Sequence, residues 1–458
     1  MSASASVSRV SAARACAFAV VRRVFEQGAY ADRAFIAEAA ELDRRERAFA
    51  MQLAYGTVQR RATLDHVCAL LARRDPATLE PPVLAALRLG LFQLLMLGAV
   101  PDHAAVNESV ELTKRTSRGG AALVNAVLRR AARERRTLLD GLDDRTPDGA
   151  AVLHSVPEWL AERWFAELGA DEARALLRRV NAPAESVLRA NSLVATADEV
   201  RSRLALPTRL ATAPPEAIVL DAPFDVQSSE LWREGAIMPQ SRGSMLVAHV
   251  LAPSAGQRVL DLCAAPGAKT THLAALMGDQ GELVAVERHR GRADALARTL
   301  GRMRATCAQV VVGDAAEVRV GGGFDKVLVD PPCSGLGTLQ SRPDIRWRAT
   351  PEAVTELAAT QGRILAAGAA ATAPGGLLVY SVCTISRAEG QQVIERFLRE
   401  QPGFTVERLA PAFGGWGHPR AQPYLQLLPH RDGTDGFFIA RLRRASPTPP
   451  GATDPPRS

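Results

Sequence analysis

Two cysteines stand where thiol chemistry is possible. Cys333 lies in Asp330-Pro331-Pro332-Cys333-Ser334-Gly335, just after the apolar run Val327-Leu328-Val329. Cys383 lies in Tyr380-Ser381-Val382-Cys383-Thr384, just after Leu377-Leu378-Val379. A lone cysteine is more often a small buried hydrophobe than a reagent. The paired prolines shift that balance, because they rigidify the loop and hold Asp330 and Cys333 in fixed relation. Further carboxylates end the preceding apolar runs: Asp261, Glu287 and Asp314. Each alone reads as a surface acid. Together they describe a nucleoside site, since an acid at the second strand end suits ribose hydroxyls. Adenosine with an appended charged group, as in S-adenosylmethionine, fits that pattern.

A methyl donor beside two thiols and an acid suits methylation of pyrimidine C5. That carbon is not nucleophilic in the ring, and a thiolate adding to C6 makes it enamine-like. A carboxyl group near N3 and N4 steadies the developing charge. A base must then remove the C5 proton so that the thiolate can leave. Two cysteines can divide these tasks, and the residues alone do not say which one attacks. The first loop, Asp261-Leu262-Cys263-Ala264-Ala265-Pro266-Gly267-Ala268-Lys269-Thr270, is not a P-loop. That motif needs glycine where Ala268 and Cys263 stand. What remains is a tight loop at a helix N-terminus, where N–H groups and Lys269 can hold an anion such as a carboxylate.

These loops need a scaffold of alternating strands and helices. Val259-Leu260, Leu283–Val286, Val310–Val312, Val327–Val329 and Leu377–Tyr380 read as strands. Thr270–Met277, Arg292–Leu300 and Thr355–Thr372 read as helices between them. Buried β-branched runs in that arrangement predict a parallel, doubly wound sheet with ligands at the strands' carboxyl ends. Residues 10–140 read as a helical bundle, with Asp43 and Glu46 as a capping box and Leu84, Leu87, Leu91 and Leu94 as one stripe. Its last helix runs into Arg129, Arg130, Arg133, Arg135 and Arg136. That edge is equally a solvated helix end or a nucleic-acid contact. Residues 141–150 read as a linker. Beyond them comes mixed material, with a strand at Val187–Leu193 and a helix capped by Thr196. The Pro/Ser/Thr-rich tail after Arg444 reads as disordered.

Composition narrows the class. The chain has 458 residues, 47% apolar, which predicts two or three domains with real cores. The longest apolar stretch, Leu89–Val100, contains Gln93 and is too short to span a bilayer. A net charge of +7 leans weakly towards an anionic partner. None of the six cysteines has C-x-x-C spacing, so no metal site is expected. The apolar run Ala15–Val21 is too short for a signal peptide, which favours a cytoplasmic, reducing location with free thiols.

Residues 257–444 resemble the bacterial RNA cytosine-5 methyltransferases of the Sun family in DLCAAPGAKTTHLA, DPPCSGLGTLQSRPDIRW, YSVCT and DGFFIARLRR. The bundle resembles a NusB-like domain in VNESVELTK and LVNAVLRR, and VLRANSL resembles the family's small RNA-binding region. That fusion points to the Sun/RsmB branch, which methylates 16S ribosomal RNA. The resemblance implies an all-α NusB-like bundle at 8–140, a small mixed α/β RNA-binding region at 151–250 and an α/β Rossmann-like methyltransferase domain at 251–445, with a disordered tail at 446–458. It implies Cys383 as the nucleophile, Cys333 as the group that assists product release and Asp330 as the cytosine contact. The cofactor, S-adenosylmethionine, would be held by Cys263, Ala264, Ala265, Pro266, Gly267, Ala268, Lys269, Glu287, Arg292, Asp314 and Asp330, with Lys269 near its methionine part. The implied partner is 16S rRNA, naked or in a partly assembled subunit, with a monomeric protein and no membrane. Val382, Thr384, Gly390, Val194 and Ser241 depart from the family pattern without removing an essential chemical group. Two other readings are the same chemistry on a tRNA cytosine and a non-catalytic RNA-binding assembly factor.

Overall fold

The computed structural model describes residues 10–117, 119–409, 412–418 and 421–446. Residues 8 and 9 of the expected first domain, and the expected tail from residue 447 on, lie outside the described residues. The chain groups into two compact units. One is the chain up to Ala182 together with Leu339–Arg348; the other is Pro183–Thr338 together with the chain from Ala349 on.

The first unit is helical. Its central helix, Pro81–Met96, starts with proline at a position where no N–H is needed, and it is buried almost all round from Val83 to Leu94. Neighbouring helices approach closely through small residues. A Cβ at Gly56 would come within 2.0 Å of the Phe92 ring, and one at Gly90 within 2.4 Å of Leu128. Asp43 caps its helix by accepting the Glu46 N–H at 2.9 Å. The Glu46 carboxylate accepts instead from the Ala13 N–H at 2.8 Å, so only half of the expected capping box forms. The expected linker at 141–150 is corrected as well. Pro147–His154 is a helix with Ala150 and Ala151 buried, and Asp144 ties it down through His154 at 3.0 Å and Arg178 at 2.8 Å. Part of the basic edge is neutralised: Arg130 pairs with Glu134 at 2.9 Å and Arg135 with Asp102 at 3.1 Å.

Leu339–Arg348 contributes a buried arginine to this unit. Arg346 is 0% exposed and donates to the carbonyls of Ser155 at 3.0 Å, Leu339 at 3.2 Å and Val180 at 3.3 Å, and to Asn181 Oδ1 at 3.0 Å. Beside it, Trp347 Nε1 donates to the Val58 carbonyl at 2.7 Å.

The second unit holds two sheets. The smaller comprises β1 (Val187–Ala190), β2 (Thr208–Leu210), β3 (Ala217–Leu220) and β4 (Ile237–Pro239) in the order β2-β3-β1-β4, all antiparallel. Helices Ala197–Arg203 and Glu230–Arg233 complete a βαββαβ unit. Thr196 caps the first through a full capping box with Glu199. β1 stops three residues short of expectation because Asn191 turns its amide to the carbonyls of Gly235 and Met303, both at 2.9 Å.

The larger sheet comprises β5 (Arg258–Asp261), β6 (Glu282–Glu287), β7 (Ala308–Val312), β8 (Phe324–Val329), β9 (Thr372–Val382), β10 (Phe404–Glu407), β11 (Leu425–Leu427) and β12 (Phe437–Arg444). Its order is β10-β12-β9-β8-β5-β6-β7, with β11 also paired to β12. β5 to β9 are parallel as expected, but β12 runs antiparallel to β9, so the sheet is mixed. Both faces are covered. Leu260, Val327 and Leu378 pack in one cluster with Ile364 and Leu365; Val259, Leu328 and Val379 pack in another with Leu246 and Leu273. That two-sided burial is why these strands read as continuous apolar runs. Among the described residues, no helix is long and apolar enough to cross a membrane.

Arg346→Ala should destabilise the helical unit by about 3 kcal/mol or more. A hydrogen bond to a charged group contributes ~1.5–3 kcal/mol, and several buried acceptors lose their donor together. Urea unfolding followed by circular dichroism checks this against Arg136→Ala, an exposed position expected to change stability by less than ~0.5 kcal/mol.

Candidate active site

The strand order places the carboxyl ends of β9, β8, β5, β6 and β7 side by side, with the chain's direction of progress reversing between β8 and β5. Such a reversal opens a crevice for ligands. Five sequence-marked groups arrive there: Cys383 after β9, Asp330 after β8, Asp261 at the end of β5, Glu287 at the end of β6 and Asp314 after β7.

The two thiols meet. Cys333 Sγ lies 3.3 Å from Cys383 Sγ, although the residues are far apart in the chain. The loop after Cys333 is stitched to both later strands: Gly337 N donates to the Cys383 carbonyl at 3.1 Å, and Gly436 N donates to the Gly337 carbonyl at 2.8 Å. A Cβ at Gly337 would stand 2.0 Å from the Gly436 carbonyl oxygen, so only glycine permits this crossing.

Asp330 joins three strand ends. Its Oδ2 receives Lys269 Nζ at 2.7 Å and its Oδ1 receives Ser381 Oγ at 2.8 Å. The Lys269 ammonium also sits 5.2 Å from the centroid of the Phe437 ring. Burial disfavours its charge, but Asp330 outweighs that, with Cys383 and Asp261 adding, and the ammonium is held above its ordinary range. Cys333 has the opposite surroundings. Its hydrogen bond to Cys383 and its burial push its thiol well up, and Glu389 and Asp330 add to the effect. A thiolate on Cys383 therefore has a cation as neighbour, whereas one on Cys333 faces sulfur and carboxylates.

Sequence reasoning missed the frame behind the thiols. Glu389 accepts from Ser334 N at 2.7 Å, Ser334 Oγ at 2.5 Å, Gln361 Nε2 at 3.1 Å and Thr384 Oγ1 at 3.3 Å. Gln361 also donates to the Pro332 carbonyl at 3.0 Å, and Tyr380 OH donates to the Glu389 carbonyl at 2.5 Å. Burial pushes the Glu389 carboxyl up, opposed by those bonds from Ser334, Gln361 and Thr384. The one available signal was a cluster of Tyr, Thr and Glu around Cys383 where an apolar core was due.

The cofactor-side residues form a second group. Residues 263–266 turn tightly from β5 into helix Ala268–Leu276, with Gly267 N donating to the Ala264 carbonyl at 2.8 Å. Gly267 has φ +105° and sits where a side chain would meet Leu296 at 2.8 Å. Glu287 is 4% exposed, and its Oε1 accepts from His289 N at 2.9 Å. Arg292 spans the turn and this acid, donating to the Ala265 carbonyl at 2.8 Å and lying 3.4 Å from Glu287 Oε2. Asp314 accepts from Ala316 N at 2.9 Å and lies 3.5 Å from Arg288. The Cys263 thiol is pushed up by burial and then by Asp261, Asp330 and Glu287 around it. Asp261 is 1% exposed, and Thr270 Oγ1 donates to its Oδ2 at 2.8 Å. Three acids at adjacent strand ends, Asp261, Glu287 and Asp314, fit a ligand rich in N–H and O–H donors, as a nucleoside with an ammonium-bearing tail is.

Residues 248–443 match the family described as 16S rRNA methyltransferase RsmB/F, residues 11–133 the NusB family, and residues 156–227 the ferredoxin-like domain of the RsmF/B-like methyltransferases. The chain is 35% identical over 449 residues to the probable ribosomal RNA small subunit methyltransferase B of Synechocystis, covering 94% of this chain and 99% of that one. It is 36% identical over 417 residues to the ribosomal RNA small subunit methyltransferase B of Thermus thermophilus, covering 88% and 90%. Among solved structures, that of PH0851 superposes with a TM-score of 0.78 at 26% identity, over 94% of this chain and 98% of that one. NSun6 from Pyrococcus horikoshii, solved with SFG, shares the fold with a TM-score of 0.59 at 22% identity, over 64% of this chain and all 100% of that one.

Asp261 yields a pH test. Burial pushes its carboxyl up to about 6, against the Thr270 hydrogen bond. The folded chain therefore holds a proton that the unfolded chain releases near pH 4. Stability from this group is present below that pH and is lost as pH rises through about 6, by on the order of 3 kcal/mol. Asp261→Asn should remove that loss, so its stability relative to the parent should rise between pH 4 and pH 6 and then level off. Denaturant midpoints across that range check it; a difference independent of pH would contradict it.

Proposed function

The chain belongs to the 16S rRNA methyltransferase RsmB/F family, and on that footing we propose that it methylates C5 of a cytosine in 16S rRNA through a covalent adduct on Cys383. The cofactor is S-adenosylmethionine, which supplies an electrophilic methyl group when bound. Glu287 holds the ribose, Asp314 and the 263–269 turn hold the rest of the nucleoside and its tail, and Arg292 braces Glu287 against the turn. A cytoplasmic site of action goes with this reading.

The single observation that carries the proposal is the thiol pair with its uneven electrostatics. Cys383 attacks as the thiolate, because Lys269 offsets its charge. Its sulfur bonds to C6, and the π pair of the C5–C6 bond becomes available at C5. Asp330 contacts the cytosine at N3 and N4 and steadies the charge that develops there. Once C5 carries the methyl group it must lose its own proton. Cys333, close by and set among carboxylates, assists that elimination. The C5–C6 double bond then reforms, the C6–S bond breaks, and the sulfur leaves as the Cys383 thiolate. Lys269 and Ser381 hold Asp330 in place throughout, and Glu389 fixes the Cys333 loop through Ser334.

This division of labour predicts an asymmetry. Cys383→Ala should abolish turnover and form no adduct. Cys333→Ala should permit attack and methyl transfer but stall release, leaving a denaturant-resistant protein–RNA complex on RNA that contains the target cytosine. A denaturing gel beside a methyl-transfer assay distinguishes the outcomes, with Cys263→Ala as the control that still forms the adduct. Reversed behaviour of the two variants would exchange their roles, and normal turnover in both would remove the covalent mechanism.

Glu287→Ala should weaken S-adenosylmethionine binding by ~1.5–3 kcal/mol, the range for a hydrogen bond to a charged group. Calorimetry that finds unchanged affinity would take Glu287 out of the cofactor site.

A further inference from the structure

A second polar cluster lies in the same unit, away from the thiols. Glu216 immediately precedes β3, His249 is on helix Arg242–Leu251, and His272 is on helix Ala268–Leu276. One ligand atom from each lies within 4.8 Å of the other two. Glu216 Oε1 is 2.8 Å from His249 Nε2 and 2.7 Å from His272 Nε2. The two imidazoles stand edge to face with centroids 5.3 Å apart.

His272 is the anomaly. It is 2% exposed, yet neither of its ring nitrogens has a hydrogen-bond partner among the described residues. The approach to Glu216 has the distance of a hydrogen bond but not its direction. A buried, unsatisfied imidazole needs an explanation. One is a group sitting on its lone pair that is neither a donor nor an acceptor of this chain. Burial, with Arg189 adding, pushes His272 down to about 4, so the ring is neutral near pH 7. Burial alone would raise Glu216, but the hydrogen bond from His249 and the close approach of His272 outweigh it and hold the carboxyl well below its ordinary range.

We propose that Glu216, His249 and His272 bind one divalent transition-metal ion, with zinc the best match. Two imidazole nitrogens and one carboxylate are a common zinc donor set, with a fourth position left for water. Magnesium and calcium are disfavoured because they take oxygen ligands. The metal joins three separate elements: the turn into β3, helix Arg242–Leu251 and helix Ala268–Leu276. His272 lies one turn beyond Lys269, on the helix that follows the cofactor loop. The ion therefore fixes the small sheet to the helix that carries that loop. Arg189 counts against a dication here. Its guanidinium bonds to Thr271 Oγ1 at 2.8 Å and to the Ala268 carbonyl at 2.6 Å, close to His272. The affinity is accordingly modest. Cysteine spacing carries no sign of this donor set, whose members share no short spacing.

The test uses the full chain stripped with a chelator and titrated with zinc, then with cobalt as a spectroscopic probe. The expected result is one equivalent bound, with an intense visible cobalt spectrum of four-coordinate type and no thiolate charge-transfer band. Glu216→Gln and His249→Ala, at partly exposed positions, should each weaken binding by more than the ~10–100-fold typical of losing an outer-shell partner. Failure of the parent protein to bind one equivalent would overturn the proposal. So would a thiolate band, which would put the metal on cysteine, or either variant binding as tightly as the parent.

Discussion

The Asp330 carboxylate, shared between Lys269 and Ser381, is the interaction on which the reactive end of the sheet depends. It links the loop after β5, the end of β8 and the end of β9. Those are the positions at which the first loop and both thiol-bearing segments leave the sheet. The ammonium is buried and would be costly there without a partner. With Asp330 opposite, it remains charged and faces Cys383 as well. One ion pair thus does two things: it aligns neighbouring strand ends and keeps a cation near Cys383.

The surrounding polar frame keeps that arrangement rigid. Glu389 gathers Ser334, Gln361 and Thr384, and Gln361 reaches the Pro332 carbonyl. The Cys333 loop is therefore fixed from behind by side chains and from in front by backbone, where Gly337 bonds to Cys383 and Gly436. A fully satisfied buried network of this kind specifies one geometry, because every alternative leaves polar groups unpaired. Asp261, at the end of β5, is likewise buried and is held by Thr270 through one carboxylate oxygen.

The small sheet is bound into the same unit by polar anchors. Arg189 on β1 donates to Gln240 at 2.6 Å and to the first turn of helix Ala268–Leu276. Arg302 lies 3.4 Å from the centroid of the Trp232 ring and donates to the Trp232 and Ile237 carbonyls. These contacts, and the Glu216–His249–His272 cluster, place the small sheet against helices Arg242–Leu251 and Ala268–Leu276. The helical unit is completed differently, by the segment around Arg346, which follows Cys333 in the chain.

Local pattern by itself determined the parallel strands, their helices and the acids and thiols at the strand ends. A strand buried on both faces must be a continuous apolar run, and a loop that leaves it starts where that run stops. The order of Asp261, Glu287, Asp314, Asp330 and Cys383 along the chain therefore already placed them at strand ends. Several features were beyond that reach. Nothing local shows that β12 adds antiparallel beside β9, because pairing partners far apart in the chain are chosen by tertiary packing. The helix at Pro147–His154 was hidden behind Gly and Asp residues that usually mark turns, and its burial against neighbouring helices overrode them. The 3.3 Å separation of the sulfurs, the pairing of Lys269 with Asp330 and the role of Glu389 depend on crossings between distant segments. So does the meeting of Glu216, His249 and His272. Residue types and spacing could nominate both cysteines equally. What the fold adds is their surroundings, Lys269 near Cys383 and a Cys333 thiol raised by its bond to Cys383 and by burial, which arise from crossings that no local pattern encodes.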